Sequence, residues 1–68
     1  MTEHAIRRMM DHSLTEHDIE KTIREGERVS EGRTKTRFRL KTKKGLVIVV
    51  AEETPQRITV KTVTRRSI

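Results

Sequence analysis

Cysteine, tryptophan and tyrosine are absent from this chain of 68 residues, and phenylalanine and proline occur once each. Without cysteine there are no disulfides, no thiolate metal ligands and no thiol nucleophile, a composition that fits a reducing, cytoplasmic setting. A single aromatic, Phe38, leaves no series of rings on which successive nucleobases could stack. The longest apolar run, Leu46 to Ala51, has six residues against the roughly 20 that a membrane-spanning helix needs. The first ten residues hold no apolar block of the kind a signal peptide requires, so no membrane association is expected. The three glycines, at 26, 32 and 45, are isolated and suit turns rather than a phosphate-binding loop.

What remains is a small, charged, basic chain. Its length predicts one domain over residues 1–68 with a thin core, since a domain of this size buries only about 60% of the surface its unfolded chain exposes. Stability is then modest, or shared with a partner such as a second copy of the chain. The net charge of +6 is unevenly spread. Residues 1–32 hold five cations against eight carboxylates, a net of −3, whereas residues 33–68 hold eleven against two, a net of +9. A split of this kind is the electrostatic footprint of a surface that meets a polyanion.

The hydrophobic period divides the chain at the same point. Thr2 is placed to cap a first helix whose apolar arc comprises Ala5, Ile6, Met9, Met10 and Ser13. Thr15 and Asp18 resemble a capping box at the start of a second helix, with Leu14 and Ile19 as its hydrophobic staple and Gly26 as a left-handed stop. Residues 1–27 therefore predict a helical hairpin. From Val29 the period becomes 2, so residues 28–66 predict a three- to four-stranded antiparallel meander: a short piece around Arg28 to Ser30, an alternating strand after Gly32, a turn at Lys44-Gly45, a central strand from Leu46 to Ala51, and a last strand from Arg57 to Arg65. The fold class is α+β, with the hairpin packed on one sheet face.

Two short helices cover one face only. Phe38, Leu40, Ile58 and Val60 are expected beneath them, which turns Arg33, Lys35, Arg37, Arg39, Lys41, Arg57 and Lys61 outward as a candidate nucleic-acid-binding surface. Along its middle runs one row of the central strand, either Leu46, Ile48 and Val50 or Val47, Val49 and Ala51. The plainer reading of such a face is a strand kept soluble and guarded against edge pairing by its cations.

The segments TEHAIRRMM, LTEHDIEKTI, Gly32-Arg33, LVIVVAEE and ITVKTVT, in this order and spacing, resemble a small prokaryotic domain-of-unknown-function family that opens with a His-Ala-x-x-Arg-Met helix and closes on a Val-x-Thr-Val-like strand. The matching positions are His4, Ala5, Arg8 and Met9, then Val60, Thr62 and Val63. That family is similar to the RelE/ParE toxin superfamily and to BrnT-like proteins in shape. The resemblance implies a helical hairpin on an antiparallel sheet, an RNA-directed or ribonuclease-like activity directed at RNA or the ribosome, and an acidic antitoxin partner. The late tyrosine of several RelE-type enzymes has no counterpart, since Arg65, Arg66 and Ser67 stand at that place.

His4 and Arg8 are the candidate catalytic pair. One helical turn apart, they point away from the apolar arc of Ile6, Met9 and Met10. In metal-independent RNA cleavage His4 takes the proton of a ribose 2′-hydroxyl, and Arg8 with Arg37, Arg39 or Lys61 stabilises the charge that develops on the phosphate. The plainer reading of the same pair is two solvated side chains. No cofactor is implied, and His4, His12 and His17 lack the spacing of a metal site.

Overall fold

In a computed structural model that describes residues 2–67, two helices precede four strands: α1 (Glu3–Asp11), α2 (Glu16–Glu25), β1 (Glu27–Glu31), β2 (Lys35–Thr42), β3 (Gly45–Glu53) and β4 (Ile58–Arg66). The strands pair antiparallel in the order β1-β2-β3-β4. Helix α1 packs along β4, and α2 lies over β2 and β3. The short piece expected around Arg28 to Ser30 is thus a full edge strand of five residues. No helix among the described residues is long and apolar enough to cross a membrane.

Local chemistry accounts for both helix starts. The Thr2 hydroxyl accepts from the Ala5 N–H, and the Thr2 N–H donates to the Val60 carbonyl, so one residue caps α1 and ties it to β4. At α2 the Thr15 hydroxyl accepts from the Asp18 N–H while the Asp18 carboxylate accepts from the Thr15 N–H at 2.9 Å, a complete capping box. Leu14 and Ile19 on either side of that cap are both buried.

The end of α2 departs from expectation. Gly26 is extended, at φ −74° and ψ 166°, rather than left-handed. Glycine is required there by crowding: a Cβ would collide with the Thr22 carbonyl and lie 2.7 Å from the Arg39 carbonyl oxygen. At the β2–β3 hairpin the two turn residues are Lys43 and Lys44, one position earlier than the sequence suggests, because Thr42 pairs with Gly45. Gly45 opens β3 at φ +139°, a conformation glycine tolerates, and it packs against the Arg66 carbonyl.

The core lies between the helices and one sheet face. Phe38 and Thr36 of β2, Val47, Val49 and Ala51 of β3, and Val60 and Val63 of β4 meet Ala5, Leu14, Ile19 and Thr22 there, with Leu40, Met9 and Ile23 partly covered. A register shift near Val50/Ala51 sets the phase of β4: Ala51 faces Val60 but Val50 faces Thr62, so Lys61 is an extra residue in the strand. Val60 and Val63, three apart, consequently share the covered face, and the open face takes Thr62, Thr64 and Arg66.

Three expected core positions are outside it. Ile58 is 47% exposed, at the end of β4 beyond the reach of α1. Ile6 and Met10 are exposed as well, because α1 rests on the sheet through a stripe of Ala5 and Met9 narrower than the arc its sequence offers. At the other edge Arg28 fills a gap left by the short helices. It pairs with Glu53 and lies over the Phe38 ring, 5.5 Å from its centre.

The two faces of β3 predict opposite responses to a charge. Ile48→Lys, on the open face, leaves the fold intact, whereas Val49→Lys places an unpaired ammonium in the core and unfolds the domain; circular dichroism with thermal melting distinguishes them. The capping box makes a pH prediction. The hydrogen bond from the Thr15 N–H, the largest contribution, holds the Asp18 carboxyl below its ordinary value of 3.8. A lowered folded-state value adds stability above that pH, and the stability is lost as pH falls through the folded value. Asp18→Asn should therefore destabilise the fold at neutral pH, and less under acid, in urea unfolding followed across pH.

Candidate nucleic-acid interface

The uncovered sheet face is ordered in rows by strand register. From β1 across to β4 the first row reads Glu31, Lys35, Glu52 and Thr59, and the second reads Val29, Arg37, Val50 and Thr62. The third reads Glu27, Arg39, Ile48 and Thr64; the last, beyond the end of β1, reads Lys41, Leu46 and Arg66. The apolar row open to solvent is thus Leu46, Ile48 and Val50, which settles the choice the sequence left between the two faces of β3. An open trough of about 420 Å³ runs over these three residues between Arg37 and Arg39 on one side and Thr62, Thr64 and Arg66 on the other.

Charge along the rows is graded. Glu31 binds Arg37 at 2.9 Å, and Glu52 lies 3.7 Å from Lys61, so two cations toward the β1–β2 turn are matched while Lys35 beside them forms no ion pair among the described residues. Toward the β2–β3 hairpin, Arg39, Lys41 and Arg66 form no ion pair among the described residues. Glu27 is the single carboxylate in these last two rows.

Helix α1 borders this face. Its axis runs beside β4 in the same direction as the strand, which brings His4 Nε2 to 3.4 Å from Thr62 Oγ1 and Arg8 Nη2 to 3.4 Å from Thr64 Oγ1. Those two threonines share rows with Arg37 and Arg39. Two strand spacings, roughly 10 Å, separate β4 from β2. Thr62, Thr64 and Arg66 therefore form one bank of the trough and the β2 arginines the other, while His4 and Arg8 touch the two threonines from the helix side without lining the trough, His4 lying in a separate hollow with Glu3 and Arg7.

The predicted cations divide into three groups. Lys35, Arg37, Arg39 and Lys41 lie on the open side of β2, and Lys61 sits at the β4 irregularity on the same side. Arg33 and Arg57 do not join them. Arg33 belongs to the turn between β1 and β2, since the strand starts only at Lys35. Arg57 closes the β3–β4 loop, exchanging backbone hydrogen bonds with Thr54, and β4 begins one residue later. Both are at the far end of the sheet from Lys43 and Lys44.

Alternation alone missed Arg66, Thr62 and Thr64, because the extra residue in β4 inverts the phase that Ile58 and Val60 set. It also missed the carboxylates of β1, which an alternating reading of Glu27, Val29 and Glu31 could have found. No group of three or more His, Cys, Asp or Glu side chains converges among the described residues, and His4, His12 and His17 stand apart in this respect.

Comparison with known proteins adds a family and nothing finer. Neither a curated protein nor a solved structure matches this sequence. A family of domains of unknown function, DUF4258, matches over residues 1–65, from the start of α1 through the Thr62–Arg65 stretch that carries the trough's hydroxyl bank. The chain is a member of the DUF4258 family.

Proposed function

We propose that this protein acts on RNA through the open face of its sheet, as a toxin-type relative of the RelE/ParE-like proteins. What supports the reading is one arrangement. Arg39, Lys41 and Arg66 line the hairpin end of the open face without ion-pair partners among the described residues, and Thr62 and Thr64, on the same bank of the trough as Arg66, are in contact with His4 and Arg8. Backbone phosphates seat on the cations, whose guanidinium and ammonium groups supply most of the affinity. Ribose then lies against the threonine hydroxyls. With no aromatic platform on this face, binding is directed by backbone and shape rather than by base identity.

In the catalytic form of this reading the RNA 2′-hydroxyl gives its proton to His4. The freed oxygen attacks the adjacent phosphorus and the P–O5′ bond breaks, leaving a 2′,3′-cyclic phosphate while the departing 5′-oxygen takes a proton from water; Arg8 stabilises the charge that accumulates on the phosphate oxygens. His4 is assigned this part for its place one helical turn from Arg8, with its Nε2 3.4 Å from Thr62 Oγ1. The half-buried row of Leu46, Ile48 and Val50 favours a second reading, a non-catalytic module. Its apolar stripe between cationic flanks fits an acidic amphipathic segment such as an antitoxin, or a second copy of the chain.

Two measurements separate these. Anisotropy titration with a short unstructured RNA should give a log–log salt slope of about −2, as three phosphate contacts on a single strand predict, and Arg39→Gln/Arg66→Gln should flatten it. A salt-independent affinity, or none, removes the RNA reading. Incubation of the same RNA with excess chelator should yield cleavage by the native chain and a loss of about 10²-fold or more in His4→Ala. Binding without cleavage leaves the module and removes the enzyme.

A further inference from the structure

The hairpin end of the sheet carries a second basic feature, on the side the helices cover. A cavity of about 210 Å³ lies between the first turns of α2, the β2–β3 turn and the end of β4. Four cations from these three elements line it: Lys21, Lys43, Lys44 and Arg65. Leu14 and Val47, both buried, form part of its apolar floor. The one carboxylate present, Asp18, is committed to the α2 cap, where its Oδ2 accepts from both the N–H and the hydroxyl of Thr15.

None of the four cations makes an ion pair among the described residues, although Arg24, Arg28, Arg37 and Lys61 do elsewhere. Arg65 is the most constrained of them. It faces Val47 on the covered side of the sheet and is half-buried there, because the extra residue in β4 exchanges its phase with that of Arg66. Like charges held around one concavity repel, and a bound anion relieves that repulsion.

We propose that this cavity binds the terminal phosphate monoester of a nucleic-acid strand whose body runs over the hairpin end onto the open face. The inference rests on the RNA reading of that face. Three observations select this ligand. The cavity is smaller than the roughly 300–1,000 Å³ of sites that enclose a whole small molecule, so it takes a terminal group and leaves the remainder outside. A monoester carries about −1.5 to −2 charges at neutral pH against about −1 for an internal phosphate, which suits a lining of four cations and the single Asp18 carboxylate better. Finally, the path is continuous: Arg65 and Arg66 are adjacent residues on opposite faces, and Arg66 shares the last open row with Leu46 and Lys41.

The test compares one short unstructured RNA in three forms, with a 5′-phosphate, with a 3′-phosphate and with hydroxyls at both ends, by anisotropy titration. The native chain is expected to bind one phosphorylated form about tenfold more tightly than the hydroxyl form, the scale of a charge-assisted contact. Lys44→Gln/Arg65→Gln should abolish this preference while binding of the hydroxyl-ended RNA persists. Equal affinity of the native chain for all three forms overturns the proposal without recourse to any variant, as does a preference that survives the double substitution. If no form binds, the RNA reading of the open face falls separately. The cavity is then judged by backbone amide NMR shifts with a nucleoside 5′-monophosphate against the bare nucleoside. Shifts confined to the nucleotide and centred on Lys43, Lys44 and Arg65 keep the phosphate site, and their absence removes it.

Discussion

One extra residue in β4 governs where the chemistry of this chain is displayed. A regular strand from Ile58 would bring Thr62, Thr64 and Arg66 beneath the helices and leave Val63 in water. With Lys61 inserted opposite the Val50/Ala51 step, Val63 enters the core and the two threonines and Arg66 emerge on the open side. The irregularity lies at the edge of the sheet, where an unpaired residue interrupts only one ladder. It also adjoins the anchor of α1, since the Thr2 hydroxyl donates to the Lys61 carbonyl and the Thr2 N–H to that of Val60. The same local departure thus fixes the core, the hydroxyl bank and the position of the helix that carries His4 and Arg8.

Element order and helix starts were legible in the sequence because each depends on neighbours a few residues apart. Thr2, Thr15, Asp18, Leu14 and Ile19 act in the roles their spacing suggests. The alternation of Phe38 and Leu40 assigned the faces of β2 correctly for the same reason. Long-range features were not legible. Nothing near Lys61 marks it as the unpaired residue, and Gly26 resembles any helix-stopping glycine until the Arg39 backbone is known to approach it. Ile6, Met10 and Ile58 were misplaced because apolar character shows what a residue can bury, not whether two short helices extend far enough to bury it. Of the candidate site, the β2 cations were readable from their period. Their partial neutralisation was not, since it arises from β1 and β3 carboxylates distant in sequence.

The arrangement also explains how so small a domain tolerates many like charges. Arg28 is spent on the covered side, over Phe38 and against Glu53, where its stem and guanidinium substitute for apolar cover that the chain lacks. Arg37 and Lys61 are matched by acids on neighbouring strands. Among the described residues, Arg39, Lys41 and Arg66 form no ion pair at the end beside the Lys43–Lys44 hairpin, and Arg33, Lys35 and Arg57 form none at the other end. On the open face, ion pairing is concentrated toward the β1–β2 turn end, where Arg37 and Lys61 are matched.

This grading gives the molecule a direction. It extends 32 Å along its longest axis, about four times the screening length of roughly 8 Å at physiological ionic strength. A polyanion approaching from solution consequently senses the hairpin end and the β1–β2 turn end as separate objects, and torque acts before contact is made. Glu31 of β1 and Glu52 of β3, by pairing with Arg37 and Lys61, would weaken attraction at one end of the face and so bias any such encounter toward the other.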